Sequence, residues 1–455
     1  MLISVSIKNF KSIRDEVELS MVPHNYIKDK REHIIESSSN KSVQALPLAV
    51  LYGKNGSGKT KFVEALEFMK DKIIRGGGIK TTPFRLGDAN QEKQPSEFTI
   101  LFKYNDVVYH YGFTIQNEII QTEWLSAYYT VRPSLLFNRW MEDGNPQISF
   151  GNRLIQSTKG GNRYLSYVFQ GIENKGHDLF IREGGYKRGV ALLEPVFEWF
   201  LKHLIIITPQ SYFVSLEEQL YTTDDHLTNM NTRIQEMDLD ADSLITVEKE
   251  FNLEQFLAGL DSSNKVEEIK SKLENLEEGK NITYRIIGRP SPQISIIKTV
   301  NGLRRLELEA SYTRADKETI KLSLHEVSSG LQRMIHLLPA LDMVELRDTV
   351  FIIDELDRSL HTLLTQYFIK TFTQQAVESG NCSQLIFTTH DTNLLDSELF
   401  RNDEIWFTEK DENRSTQLYS LSEFKLTTGL NYERGYLAGR FGTIPLFHGQ
   451  KMRIQ

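Results

Sequence analysis

The sequence has almost no cysteine: Cys382 is the single one among 455 residues. One thiol cannot form an internal disulfide, and it cannot supply the ligands of a four-cysteine zinc site. Such sparse cysteine is typical of proteins in a reducing cytosol, so a cytoplasmic location is expected. The cysteine count therefore excludes a disulfide scaffold and a four-cysteine structural zinc site.

Long apolar runs are also absent, and no stretch approaches the roughly 18 residues of a membrane span. The first ten residues alternate apolar and polar side chains, whereas a signal peptide joins a charged segment to an apolar one. Hydrophobic residues make up 40% of the chain and charged residues 25%, as in an ordinary globular protein. A protein without membrane contact is therefore expected.

Positive charge is in the minority, because 53 Lys and Arg stand against 61 Asp and Glu, a net charge of −8. Contact with nucleic acid would then require a local basic patch. Three groups of basic residues are candidates for such a patch: Arg163, Lys187–Arg188 and Arg304–Arg305. The simpler interpretation is that these basic residues are scattered over the surface, so DNA is a possible partner but not a firm prediction.

The glycine-rich stretch Gly53–Thr60 follows G-x-x-x-x-G-K-[ST], the pattern of the phosphate-binding P-loop. A buried strand is predicted before it, at Ala45–Tyr52, and a helix after it, to about Ile74. The backbone N–H groups of such a loop point at anionic oxygens, and the helix N-terminus adds partial positive charge. We expect Lys59 at the β- and γ-phosphates and the Thr60 hydroxyl at Mg²⁺. The predicted nucleotide contacts are Gly53, Asn55, Gly56, Ser57, Gly58, Lys59 and Thr60.

A second apolar strand, Thr349–Ile353, ends in the paired acids Asp354 and Glu355. The carboxyl ends of parallel strands form the edge of a sheet where ligands bind. Asp354 is expected to hold Mg²⁺, and Glu355 to accept a proton from the attacking water. A third apolar strand, Leu385–Thr388, precedes His390, which is placed to sense or polarise the γ-phosphate.

Two shorter segments add to this pattern. Val327–Gln332 begins a predicted helix, with Ser328 and Ser329 suited to the N-cap and Gly330 next to them. The N-terminus of that helix would bind an anion, although a capped helix alone is ordinary. The other segment, Leu356–His361, follows the paired acids directly.

The order of these motifs resembles that in the head of ABC-type ATPases. In this resemblance Gly53–Thr60 is the P-loop and Val327–Gln332 the signature, and the later motifs are Walker B (Thr349–Glu355), the D-loop (Leu356–His361) and the switch histidine (His390). The resemblance covers roughly 1–75 and 320–445, and the opening segment Ile7–Ile13 is similar to that of the SMC, RecF and OLD branch. The expected fold class is α/β, a mixed sheet with a P-loop core plus an antiparallel β subdomain and an inserted helical region. The closing segment, 431–445, looks like that of abortive-infection-type prokaryotic ATPases.

The resemblance implies an ATPase that binds ATP and Mg²⁺ between two copies of the chain. One copy would supply the P-loop and the paired acids, with Glu355, His390 and Lys59 in catalytic roles. Thr60 and Asp354 of that copy would hold the Mg²⁺. The other copy would complete the site with its signature and D-loop residues: Ser328, Ser329, Gly330 and Asp357.

The signature and the Q-loop depart from the transporter pattern. Transporters carry L-S-G-G-Q, whereas here Ser329 replaces one glycine and Leu331 replaces the glutamine, although Gln332 follows. This departure puts the strength of the contact across the dimer in question. Two glutamines, Gln116 and Gln121, are candidates for the Q-loop.

A long segment separates the P-loop from the signature and changes character along its length. Alternating apolar residues predict antiparallel strands over about 97–150, with a hairpin at Asn105–Asp106, and over about 282–313. Both sets are expected to pack on the ATPase head. An inserted helical region is predicted over 190–280, and its part 214–280 holds 17 acidic against 6 basic residues. That acidic surface is either a solvated face or a docking surface for a partner.

Three functions remain open at this point. The favoured one is the sensor and scaffold of a prokaryotic anti-phage, abortive-infection system, which answers a phage-encoded trigger protein. The resemblance implies a separate effector for it, a TOPRIM-type nuclease. The alternative is a RecF- or SMC-like DNA-binding ATPase in repair or clamping. A self-contained nuclease is disfavoured, because no second acidic cluster follows His390.

Overall fold

The computed structural model describes most of the chain. No helix among the described residues is long and apolar enough to cross a membrane. Residues 443–445 of the closing segment lie outside the described part, as do 210–215, 223 and 259–262 of the predicted helical region and 286–292 of the strands predicted over about 282–313. The described residues are 1–36, 43–87, 90–172, 176–209, 216–222, 224–258, 263–285, 293–425 and 431–442.

The strands occur mostly in consecutive groups along the chain. The strands are β1 (Leu2–Lys8), β2 (Val17–Ser20), β3 (Ile35–Glu36), β4 (Gln44–Ala45), β5 (Leu48–Tyr52), β6 (Ser96–Tyr104), β7 (Val107–Gln116), β8 (Ile119–Tyr128), β9 (Ser134–Glu142), β10 (Asn145–Phe150), β11 (Leu204–Ile207), β12 (Ser243–Glu250), β13 (Asn281–Arg285), β14 (Gln293–Thr299), β15 (Gly302–Thr313), β16 (Thr319–Ser323), β17 (Val350–Ile353), β18 (Gln384–Thr388), β19 (Ile405–Lys410) and β20 (Thr416–Ser420).

The α-helices are α1 (Lys59–Arg75), α2 (Asn152–Ser157), α3 (Gly161–Gln170), α4 (Glu194–Glu198), α5 (Leu216–Thr222), α6 (Asp224–Glu236), α7 (Leu253–Ala258), α8 (Ser263–Glu274), α9 (Ser329–Leu346), α10 (Thr362–Glu378) and α11 (Tyr432–Leu437). The chain forms π-helical turns at Arg182–Lys187 and Trp199–His203. Short 3₁₀ turns lie at Arg31–His33, Gln91–Lys93, Thr392–Leu394, Asn402–Glu404 and Leu421–Glu423.

Contacts within the chain divide it into two compact units. The first unit comprises Met1–Ile206, Val344–Leu356 and Gln366–Gln455. The second unit comprises Ile207–Met343 and Asp357–Thr365. The P-loop and the paired acids thus belong to the first unit, and the predicted signature belongs to the second.

The first unit contains a mixed sheet with the strand order β11-β17-β18-β5-β19-β20. Strands β17, β18, β5 and β19 pair in parallel, and β20 pairs with β19 antiparallel. Every residue of β5, β17 and β18 is buried, as expected for parallel strands covered on both faces. Because these strands are parallel, their carboxyl ends share one edge, and the P-loop follows β5 at that edge.

The first unit also contains an antiparallel sheet with the order β10-β9-β8-β7-β6-β1-β2. This confirms the strands expected over 97–150. Asn105 and Asp106, at the predicted hairpin, both have positive φ, as tight β-hairpin turns require. Helix α1 covers part of this sheet, since Phe68 stacks on Phe98 with ring centroids 5.1 Å apart. The helix that follows the P-loop is thereby packed against this sheet.

The second unit contains an antiparallel sheet with the order β12-β15-β14-β13, and β16 also pairs with β15. Of the strands expected over 282–313, the described residues form β13, β14 and β15, which pair with one another and with β12. The prediction of a helical region over 190–280 is wrong at β12. There Ser243–Glu250 pairs along β15, which offers a long partner strand that the local pattern does not reveal.

Candidate nucleotide site

The P-loop lies between a buried strand and the start of a helix, as predicted. Strand β5 ends at Tyr52, and α1 begins at Lys59 directly after Gly58. Gly56 and Gly58 have φ of 79° and 119°, which favour glycine. The Phe62 N–H donates to the Gly58 carbonyl at 3.0 Å, so the helical ladder starts where the loop ends. The first turn of α1 therefore directs its N–H groups toward the loop.

Two threonines pack against the glycines of the loop. A Cβ at Gly53 would overlap the side chain of Thr408, and a Cβ at Gly58 would overlap that of Thr416. Thr408 lies on β19, the parallel neighbour of β5, and Thr416 begins β20. Glycine is thus required at both loop positions for the fit against these strands, in addition to any approach of phosphate.

The same threonines hold the loop through hydrogen bonds. The hydroxyls of Ser57 and Thr408 lie 2.6 Å apart, and the Thr416 hydroxyl donates to the Ser57 carbonyl at 3.0 Å. Lys410 Nζ donates to Thr416 Oγ1 at 2.7 Å. Burial lowers the pKa of Lys410 to about 8, although Asp411 opposes this effect. We call Thr408, Lys410 and Thr416 the threonine brace.

Sequence reasoning did not identify the threonine brace, although a weak signal was present. Thr408 and Lys410 are two apart on one strand, and Lys410 pairs with Thr416 across the hairpin. Polar residues at alternate positions of a strand share one face. That they face the P-loop follows only from the pairing of β19 with β5.

Replacing Thr416 with valine is expected to lower ATP affinity about threefold to tenfold, because the change removes hydrogen bonds of about 0.5–1.5 kcal/mol each and keeps the β-branched shape. Isothermal titration with ATP measures the effect. Thr114→Val is the matched control, since it removes a hydroxyl pair between β7 and β8 at 2.7 Å. Equal ATP affinity in the Thr416 variant and the wild type would contradict a role for the brace in holding the loop.

Lys59 and His390 are brought together at the sheet edge. Lys59 is buried, its Nζ donates to the Gly53 carbonyl, and the same Nζ lies 3.4 Å from Nδ1 of the exposed His390. The strand before His390 is fixed to the P-loop strand, because the Thr389 N–H donates to the Leu51 carbonyl at 3.2 Å. A cation and an imidazole thus converge beside the loop, where both could contact phosphate oxygens.

Asp354 faces Thr60 across the site. The Asp354 side chain is buried, and its Oδ1 accepts from the Thr60 hydroxyl at 3.4 Å and from the Thr388 hydroxyl at 2.6 Å. A carboxylate and a hydroxyl are hard oxygen ligands, which Mg²⁺ prefers. Mg²⁺ is commonly bound by one or two carboxylates together with phosphates and water. The donor set of Thr60 and Asp354 therefore fits the ion that the sequence predicts.

Glu355 is held in an uncommon backbone conformation. Its φ is +50°, in the left-handed region that non-glycine residues seldom adopt, and such residues cluster at functional sites. Thr388 secures this turn: its hydroxyl accepts from the Glu355 N–H at 2.8 Å, and its carbonyl accepts from the Leu356 N–H at 3.0 Å. Sequence reasoning missed Thr388, which ties both acids of the Walker B segment to β18.

The predicted signature and D-loop residues meet in the second unit. The Ser328 hydroxyl accepts from the Leu331 N–H at 3.3 Å, which is the expected N-cap of α9. Ser328 and Ser329 are both exposed. A Cβ at Gly330 would lie 3.0 Å from the Ser359 carbonyl, so glycine allows α9 to approach the turn that begins at Asp357.

The two Q-loop candidates bond elsewhere. The Gln116 amide donates to the Lys93 carbonyl at 2.7 Å, and the Gln121 amide donates to the Ile119 carbonyl at 3.4 Å. Both are exposed contacts on the antiparallel sheet of the first unit. These contacts give no support to either glutamine as a ligand of the P-loop site.

Comparison with known proteins gives a family match. The family model described as "AAA domain, putative AbiEii toxin, Type IV TA system" matches residues 48–164 and 192–396. These two ranges cover more than half of the chain and include the P-loop, the signature, the paired acids and His390. The chain matches no curated protein.

Among solved structures, the chain is similar to an SMC head domain from Thermotoga maritima, at 12% identity and a TM-score of 0.38. That match covers 93% of this chain and 99% of the other. An SMC head bound to the C-terminal winged-helix domain of ScpA is similar at 13% identity and a TM-score of 0.38, covering 94% and 98%. Similarities at this level of identity and TM-score do not support a conclusion about function.

Proposed function

The chain belongs to the AAA-domain family of putative AbiEii toxins of type IV toxin–antitoxin systems, and from this premise we propose that it is an ATPase that controls a separate effector in a prokaryotic anti-phage system. The observation that carries the ATPase part is the convergence at one sheet edge. Lys59 and His390 lie 3.4 Å apart there, and Thr60 and Asp354 are joined across 3.4 Å. A charged, partly buried site of this kind suits a nucleoside triphosphate with its metal ion.

The proposed chemistry is hydrolysis of the γ-phosphoryl group by water. Backbone N–H groups of the loop donate to the phosphates and Lys59 offsets part of their charge, and Thr60 with Asp354 would hold Mg²⁺. When bound, the ion withdraws charge from the phosphate oxygens. Glu355 accepts the proton of the attacking water, and His390 contacts the γ-phosphate. Turnover is slow or regulated in this proposal.

The second part of the proposal is that the site is shared between two copies of the chain. Ser328 and Ser329 are exposed at the N-terminus of α9, where the helix dipole favours an anion. A second copy would offer these groups, with Gly330 and Asp357, to the γ-phosphate bound on the first copy. ATP binding then closes the dimer and hydrolysis relaxes it, which gives a switch that an effector can read.

The mixed-dimer experiment tests this sharing. Lys59→Ala removes the phosphate-binding amine, and Ser329→Arg blocks the exposed helix end, so each variant alone should lack ATPase activity. A dimer of one copy of each variant, isolated with two affinity tags, contains one intact composite site. It should hydrolyse ATP at about half of the wild-type rate per dimer, because symmetric dimers hold two equivalent sites. A mixed dimer as inactive as the two parent variants would contradict a shared site.

The proposed effector is a TOPRIM-type nuclease, and the proposed trigger is a phage-encoded protein. The length and opening segment of the chain are similar to those of AriA, the ATPase of the PARIS anti-phage system, which supports this assignment. Purification of the tagged chain together with the products of its neighbouring genes should recover the nuclease. Recovery of no neighbouring product would contradict the effector part, while the mixed-dimer result decides the ATPase part independently.

A further inference from the structure

A basic and aromatic surface of the first unit lies outside the candidate nucleotide site. Among the described residues from 151 to 190, five basic side chains are exposed and no acidic one is. They stand out in a chain of net charge −8. We call this the 151–190 surface; its exposed basic residues are Arg153, Lys159, Arg163, Lys187 and Arg188.

One side of helix α3 forms part of the 151–190 surface. Arg163 and Tyr167 are four residues apart, so they lie on the same side of the helix. The opposite side is buried through Leu165 and Val168. Tyr167 is 59% exposed, which is unusual for a large aromatic side chain and leaves much of its ring open to a ligand.

The π-helical turn Arg182–Lys187 packs against α3 and extends the surface. The Arg188 guanidinium lies 5.9 Å from the centre of the Tyr167 ring. Tyr186 is 62% exposed and stacks on Phe197, with ring centroids 4.9 Å apart and planes 17° apart. That stacking fixes the ring of Tyr186, so an exposed aromatic platform stands beside the basic side chains.

The acidic side chain closest in sequence to these cations neutralises only part of their charge. Glu183 is buried and pairs with both Lys187 at 3.0 Å and Arg188 at 3.3 Å. Two cations on one carboxylate leave one positive charge in excess. The carboxylate also holds both side chains in place, which lowers the entropy cost of contact with a ligand.

We propose that the 151–190 surface binds single-stranded nucleic acid. Exposed aromatic rings next to basic side chains are the combination that holds a strand with unpaired bases: the rings stack on bases and the cations contact phosphates. Paired bases would leave the tyrosine rings unused, so a duplex is the poorer ligand. Tyr167, Tyr186 and the Lys187–Arg188 pair lie between the two ranges that the family model matches.

Fluorescence anisotropy of the nucleotide-free, full chain with labelled oligonucleotides tests this inference. Single-stranded DNA, single-stranded RNA and the matched DNA duplex are titrated over a series of salt concentrations. We expect a single strand to bind more tightly than the duplex. Comparison of the affinities for single-stranded DNA and single-stranded RNA shows which of the two is preferred. Tyr167→Leu should weaken single-strand binding about tenfold with an unchanged salt slope.

Arg163→Ala should weaken binding and lower the slope of log affinity against log salt by about 0.7, because one phosphate contact is lost. Tyr26→Leu and Arg85→Ala are the controls, since both side chains are exposed elsewhere in the first unit. Absence of binding at low salt, equal affinity for single strand and duplex, or equal losses in the control variants would each overturn the inference. It does not rest on the proposed ATPase activity, because no nucleotide is present.

Discussion

Replacing Glu355 with glutamine is expected to lower kcat for ATP hydrolysis by about two to four orders of magnitude, the usual contribution of a general base. Glutamine keeps the size of the side chain and removes the carboxylate that is proposed to accept the proton from water. ATP should still bind, because Lys59, Thr60 and Asp354 are unchanged. The variant should therefore accumulate in its ATP-bound form.

The structure explains why this substitution should leave the site intact. Glu355 is positioned through its backbone, whose N–H donates to the Thr388 hydroxyl at 2.8 Å. A change of side chain leaves that bond in place and does not alter the positive φ. The expected loss thus belongs to the chemical step and not to folding or binding.

Phosphate release under single-turnover conditions measures the chemical step, and isothermal titration measures ATP affinity. Glu412→Gln is a matched control, because Glu412 is an exposed acid in the turn after β19. Hydrolysis at the wild-type rate in the Glu355 variant would contradict its assignment as the base. Loss of ATP binding in that variant would show that Glu355 serves the ground-state complex instead.

Replacing Glu123 with alanine is expected to destabilise the first unit by about 3–5 kcal/mol, the cost of leaving a buried charge without its partner. The Glu123 side chain is fully buried in β8, and Arg139 on β9 donates to it at 3.4 Å. It also accepts from the N–H groups of Phe180 at 2.6 Å and Ile181 at 3.0 Å. The substitution would remove the counter-charge of Arg139, which keeps its hydrogen bond to the Asp178 carbonyl at 2.6 Å, and it would leave the N–H groups of Phe180 and Ile181 without this acceptor.

The pKa shifts of Glu123 and Arg139 indicate that their charges are stable in this environment only as a pair. Burial raises the pKa of Glu123, and burial lowers that of Arg139. Burial therefore disfavours either charge alone, and the charge on each residue partly offsets the pKa shift that burial causes in the other. Removing either partner should cost more than removing a neutral hydrogen bond nearby.

Urea unfolding followed by tryptophan fluorescence measures this prediction, since all four tryptophans of the chain belong to the first unit. Tyr111→Phe is the matched control, because it removes only the hydroxyl that donates to Glu123 at 3.1 Å. The Tyr111 variant should lose about 1 kcal/mol in its free energy of unfolding. A loss of similar size in the Glu123 variant would show that the buried pair contributes no more than a neutral contact.

The sequence was most informative where local pattern and function coincide. The strand before Gly53, the helix that begins at Lys59 and the strand before Asp354 all lie where expected. Their apolar runs are long enough to specify buried strands, and the glycine loop fixes the connection between them. The convergence of His390 on Lys59 was also foreseeable, because parallel strands deliver their carboxyl ends to one edge.

Other features depend on distant pairing, which a single sequence does not show. Thr388 and Thr416 look like ordinary strand residues until β18 and β19 are known to flank β5. The strand Ser243–Glu250 lies in an acidic, mostly helical stretch and is specified by β15. Likewise, the separate sheet of the second unit arises from pairings among its own strands, which periodicity cannot assign to a partner.

The position of β5 has a consequence for how the chain is made. Its two neighbours in the sheet, β18 and β19, and the threonine brace on β19 and β20 are all synthesised long after the P-loop itself. Because the chain is translated from its N-terminus, the P-loop leaves the ribosome before β18, β19 and β20 are available to pack against it. We therefore expect nascent and prematurely terminated chains to be unable to retain ATP. On this expectation, the chain becomes able to bind nucleotide only when the last strands of the sheet have left the ribosome.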